Sequence, residues 1–177
     1  ISNIITNPQS TVRLLEVCLL CPMIELKKLD ISGCRLGDLG LQCLGFCLRK
    51  NRSLRSLRLE GQSGSVNGWC AFRGCLYGNK KLIDVPYPHG DVNRFFEEAQ
   101  RRIDEGMMKL PQIQPKISAA YKQRNHTLMQ HHINQKVAIK VECKEWERAI
   151  GRFASTLQEI FNSIEQNIKD DLIVKQE

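Results

Sequence analysis

The feature that most constrains how this chain can fold is a 28-residue internal period. Leu54, Leu57 and Leu59 stand 28 residues after Leu26, Leu29 and Ile31, and Leu82, Val85 and Tyr87 stand 28 residues later again. The connecting segments keep the same register: Gly33 matches Gly61, Gly40 matches Gly68, Cys47 matches Cys75, Leu48 matches Leu76 and Asn51 matches Asn79. A unit this short cannot bury its apolar face alone, so successive units must stack and share one core.

Within each period an LxxLxL core precedes an amphipathic stretch, which is the pattern of a leucine-rich repeat. The expected fold is an α/β leucine-rich-repeat solenoid of parallel strands and outer helices, followed by an all-α helical cap and a long-helix region. Leu41, Leu44 and Leu48, or Trp69, Phe72 and Leu76, then form the inward face of each outer helix. Ile1, Ser2 and Asn3 read like Ile31, Ser32 and Gly33, so the first repeat is expected to be incomplete and the chain to be part of something longer.

The repeats are assigned to residues 1–90, where VPYPHGD replaces the next loop and Pro86 and Pro88 remove backbone donors. A capping helix is expected over 91–110, with Asp91 as its N-cap and Phe95, Phe96 and Ile103 covering the open end of the repeat core. After a break at Pro111 and Pro115, a long helical and dimerisation region is expected over 111–177, with one or two helices across 117–172 left open. Its main stripe is Trp146, Ile150, Phe153, Leu157, Ile160, Ile164 and Ile168, at intervals of three and four. Such a stripe needs a partner, either a copy of itself or another subunit, and it is the expected assembly seam. The alternative is a fold-back of 146–172 onto 117–135 within one chain.

Charge is unevenly spread. Residues 1–90 hold 12 Lys and Arg against 6 Asp and Glu, whereas residues 91–177 hold 14 against 13. Arg49, Lys50, Arg52, Arg55 and Arg58 form the densest cluster, and Lys28, Asp30 and Arg58 fall between the core leucines, with Asp30 expected beside Arg58 on the sheet. These seven residues are the candidate partner-binding set, for an acidic protein or an anionic lipid; the competing reading is a solvated rim. Nucleic acid is disfavoured because no aromatic residues are interleaved with the cations.

Eight cysteines invite a metal or disulfide reading. Cys18 and Cys21 form a lone CxxC without a second pair, Cys34 follows a strand position, and Cys43, Cys47 and Cys75 fall in helical stretches. Reduced thiols in a cytoplasmic protein are expected, with no metal and no cofactor. His89, His126, His131 and His132 sit in no nucleophile or metal-ligand pattern, and GQSGSVNG falls in the repeat register and not in a phosphate loop, so no enzyme is expected. The chain reads as a non-enzymatic protein–protein interaction scaffold.

The LDISG strand, the 28-residue period, the PYP strand end and the YKQRNH segment together resemble the CARMIL family of actin capping-protein regulators, over roughly residues 10–135. The resemblance implies repeats in a horseshoe, a capping helix and a helical dimerisation region, with the capping-protein-binding segment far downstream in a disordered tail. It therefore implies scaffold and dimerisation roles linked to the cytoskeleton, and maps no binding residue onto this chain. A leucine-rich-repeat subunit of a cytoskeletal or axonemal assembly, and the terminal repeats of an innate-immune receptor, are the alternative contexts.

Overall fold

The computed structural model describes residues 8–21 and 23–174. In chain order the elements are α1 (Pro8–Leu20), β1 (Lys28–Asp30), α2 (Gly37–Lys50), β2 (Ser56–Arg58), α3 (Val66–Leu76), α4 (His89–Lys122) and α5 (His126–Val174). The expected incomplete repeat at Ile1–Asn3 lies outside the described residues.

The expectation of an α/β leucine-rich-repeat solenoid is corrected by this inventory. Among the described residues five helices take up most of the chain, the strands are two parallel segments of three residues, and the fold is mainly helical. The 28-residue offset does set how those strands pair, Lys28 against Ser56, Leu29 against Leu57 and Asp30 against Arg58. At the next step it gives only an isolated bridge from Ser56 to Asp84, because the segment that follows contains Pro86 and Pro88, which have no N–H to donate. Two long helices, α4 and α5, then occupy most of the remaining chain, and it is their length that makes the protein helical.

The chain divides into two compact units, Ile1–Asn93 together with Arg152–Glu177, and Arg94–Gly151. In the first unit α1 packs on α2 and α2 on α3. Leu15 and Leu19 of α1, Leu41, Leu44 and Leu48 of α2, and Trp69, Phe72 and Leu76 of α3 are buried, and Leu57 comes from β2 beneath them. The turns between strand and helix need two glycines at positive φ, Gly33 (77°) and Gly61 (74°). These stack so closely that a Cβ on Gly61 would lie 3.4 Å from the Gly33 backbone. Buried asparagines staple the opposite edge. Asn51 donates to the Leu19 carbonyl and accepts from the Leu54 amide, and 28 residues on Asn79 donates to the Leu48 carbonyl and accepts from the Leu82 amide.

The first turn of α4 is locked reciprocally to the turn after β2. Glu60 accepts from the amides of Gly90 (2.6 Å) and Asp91 (3.1 Å), and Asp91 accepts from those of Gln62 (2.9 Å) and Ser63 (3.2 Å). Asp91 is thus two residues inside a helix that starts at His89, and the capping carboxylate is Glu60.

The second unit is a hairpin of the 94–122 part of α4 and the 126–151 part of α5, in which Cys143 meets Gly106 and Lys136 bonds Gln114 at 2.7 Å. α4 runs through Pro111 and Pro115, where the sequence predicts a break. The prolines are four residues apart on an exposed face, as is Met107, and a helix can continue where the carbonyls that lose their donors, here those of Met107 and Pro111, are within reach of water. Two helices, not one, cross 117–172. Arg124 turns the corner at φ 53°, and Asn125 accepts from the Leu128 amide at 3.0 Å, capping α5.

Candidate interaction surface

Period-two alternation places Leu29 and Leu57 toward the core and leaves Lys28, Asp30 and Arg58 exposed on the other side of the short sheet. Parallel register sets Asp30 beside Arg58 and Lys28 beside Ser56. Ser56 in turn donates its hydroxyl to Asp84 at 2.7 Å. The result is a row of charges of both signs on a backbone fixed by ladder bonds. Asp30 is held below the usual carboxylate range, chiefly by the Ser32 amide that it accepts at 3.0 Å, then by the Ser32 hydroxyl, with Arg58 a smaller contributor. The neighbouring Cys34 thiol is pushed up by burial and by Asp30.

The structure spreads the sequence-nominated basic cluster over three places. Lys28, Asp30 and Arg58 share the sheet face. Arg49 and Lys50 end α2, where cations favour the helix dipole, and Lys50 lies 4.4 Å from the centre of the Phe46 ring while Arg52 reaches the Gly78 carbonyl. Arg55 is engaged in a 2.6 Å ion pair with Asp171 of α5. A cavity of about 530 Å³ also gathers Lys27, Lys50 and Arg52 beside Leu19, Leu20 and Ile24, with Glu25 pairing Lys27 at 3.2 Å. Ser56, Asp84 and Lys27 were not nominated from sequence. The 28-residue register, which puts Asp84 in line with Lys28 and Ser56, is the signal that identifies the first two.

The expected assembly stripe divides between the units. Phe153, Leu157, Ile160 and Ile164 are buried in the first unit, where the Phe153 ring meets Trp69 at 6.3 Å. Polar contacts fix this packing: Arg73 pairs Glu159 at 3.0 Å, Cys70 meets the Thr156 hydroxyl at 3.1 Å, and Asn167 donates to the carbonyls of Asn79 and Leu82. Asn167 thereby extends the line of Asn51 and Asn79 by one more side chain. Ile168 is exposed. Trp146 and Ile150 are half-buried in the second unit, as are Phe95, Phe96 and Ile103, with Phe95 6.4 Å from Trp146. The side chains that meet α3 therefore come from this stripe, which periodicity alone cannot assign to an inner or an outer partner.

All eight cysteines are free thiols. Among the described residues no group of three His, Cys, Asp or Glu is placed to hold a metal ion, and no helix is long and apolar enough to cross a membrane.

No protein-family model matches the chain. It is similar to proteins called capping protein, Arp2/3 and myosin-I linker protein 3 from Homo sapiens, Rattus norvegicus and Mus musculus, at 27% identity over 85 residues in each case. The match covers 48% of this chain and 6% of the length of each relative.

Proposed function

We propose that this chain is a non-enzymatic protein-interaction module of an actin-cytoskeleton scaffold, acting in the cytoplasm and docking a protein partner on the open face of β1 and β2. The observation that carries the reading is the row formed by exposed Lys28, Asp30, Arg58 and Asp84 and half-buried Ser56, on a backbone whose inward leucines and ladder bonds leave it little freedom. The backbone of such a surface is preorganised, so little loop ordering opposes binding, and charges of both signs select a complementary partner more than they add raw affinity. The similarity to proteins named as linkers of capping protein, Arp2/3 and myosin-I supports a cytoskeletal partner. Because Phe153, Leu157, Ile160 and Ile164 are covered within the first unit, they are not offered as an assembly surface.

The test is interferometry of the immobilised chain against purified actin capping protein, Arp2/3 complex and a class-I myosin. Saturable binding of at least one, with a dissociation constant of about 10 μM or tighter, is the expected result. Failure of all three to bind at about 100 μM would remove the cytoskeletal reading.

A further inference from the structure

The second unit carries an unusual division of charge along its hairpin. Between residues 106 and 141 there are six lysines and arginines and no aspartate or glutamate, whereas 94–105 and 142–151 together hold five cations and seven carboxylates. Hairpin pairing turns this sequence asymmetry into a spatial one. Gly106 lies against Cys143 and Gln114 against Lys136, so the acid-free stretches of the two helices lie side by side from that level to the corner at 123–125. At the helical rise per residue this is about 25 Å of hairpin with cations alone. Lys109, Lys116, Lys122, Arg124 and Lys140 are exposed there, and the corner holds a cavity of about 440 Å³ flanked by Lys122, Arg124 and His126.

The same span exposes large apolar side chains on both helices: Met107, Met108 and Tyr121 on α4, and Leu128, Val137 and Val141 on α5. They are dispersed among the cations, and Tyr121 also lines the corner cavity. From this we propose that the hairpin end of residues 106–141 is a peripheral docking surface for anionic phospholipid bilayers, with Lys122 and Arg124 at the corner engaging headgroup phosphates and Tyr121 and Leu128 entering the headgroup boundary. Helical surfaces that mix cations with exposed apolar residues bind at this depth because the two kinds of side chain meet the two layers they prefer. A phosphodiester backbone would use the cations and leave the aliphatics in water, and Tyr121 is the only Phe, Trp or Tyr in the span available for base stacking. A folded acidic protein would call for gathered apolar residues, whereas a fluid surface accommodates dispersed ones.

The proposal stands apart from the sheet face of the first unit, and the controls separate the two. The full chain is sedimented with vesicles of phosphatidylcholine alone and of phosphatidylcholine with phosphatidylserine, as wild type, as Lys122→Glu/Arg124→Glu, as Lys116→Glu/Lys122→Glu and as Lys28→Glu/Arg58→Glu. Binding to the phosphatidylserine vesicles only, weakened by raising salt from about 0.1 M to about 0.5 M, is expected. Each hairpin double reversal should cut binding at least about tenfold with an unchanged helical circular dichroism spectrum, while the sheet-face reversal binds like wild type. Equal sedimentation with both vesicle types, or wild-type binding by both hairpin variants, overturns the proposal. Tighter binding to a short DNA duplex than to the phosphatidylserine vesicles, lost in the same hairpin variants, overturns it in favour of nucleic acid.

Discussion

Asp91 shows how one side chain can hold two parts of a fold together. It is buried, and its two carboxylate oxygens take the backbone amides of Gln62 and Ser63 in the turn that carries Gly61. Truncation leaves those donors without this acceptor, so Asp91→Ala should lower unfolding stability by about 3 kcal/mol, read as a shifted urea midpoint; a wild-type midpoint would show that water replaces it without loss. Its pairing with the turn was hidden from sequence because an acidic residue before a hydrophobic helix ordinarily reads as an N-cap, and the carboxylate that does the capping, Glu60, lies about thirty residues upstream. Cys47 gives a second residue-scale test. Burial first, then Glu16 and Cys43, pushes its thiol up to about 11. At pH 8 only about one molecule in a thousand then carries the thiolate, so alkylation followed by peptide mass spectrometry should find Cys47 among the last thiols labelled in the folded chain. Labelling at the rate seen in urea would contradict its placement.

At the scale of elements, α5 decides the most. Its inner stripe covers the apolar face of α3, and Phe153, Leu157 and Ile160 are each at most 4% exposed. Phe153→Ala should therefore cost about 3–5 kcal/mol in urea unfolding, with the signal of Trp69 reporting the first unit. Phe96→Ala, at a half-buried position, should cost clearly less. An inverted order would mean that the cap expected from sequence, and not α5, covers the core. The spacing of the stripe was legible, as helical spacing usually is, but its partner was not: three-and-four intervals specify an apolar face and say nothing about whether the covering surface belongs to the same chain. The continuity of α4 through Pro111 and Pro115 was illegible for a different reason. A helix tolerates a missing donor where the orphaned carbonyl faces water, and which face is wet is a tertiary fact.

For the whole molecule, the 28-residue period is real in the pairing register and in the matched asparagines, yet it does not make an α/β solenoid. Two strands of three residues, with a third segment cut to one bridge before Pro86 and Pro88, yield to two long helices that make up most of the remaining chain. What the period does supply is the charged row on the open sheet face, where Lys28, Ser56 and Asp84 fall in one line and Asp30 and Arg58 in the next. Asp30 and Arg58 are exposed register neighbours, and a surface charge contact of this kind adds less than about 1 kcal/mol to folding, so these side chains can be exchanged without unfolding the unit. That freedom makes the central claim directly measurable. In Lys28→Glu/Arg58→Glu, with circular dichroism and thermal unfolding like wild type, affinity for whichever of capping protein, Arp2/3 complex or class-I myosin binds the wild type should fall at least about tenfold. Undiminished affinity in that folded variant would contradict the assignment of the open sheet face as the docking surface.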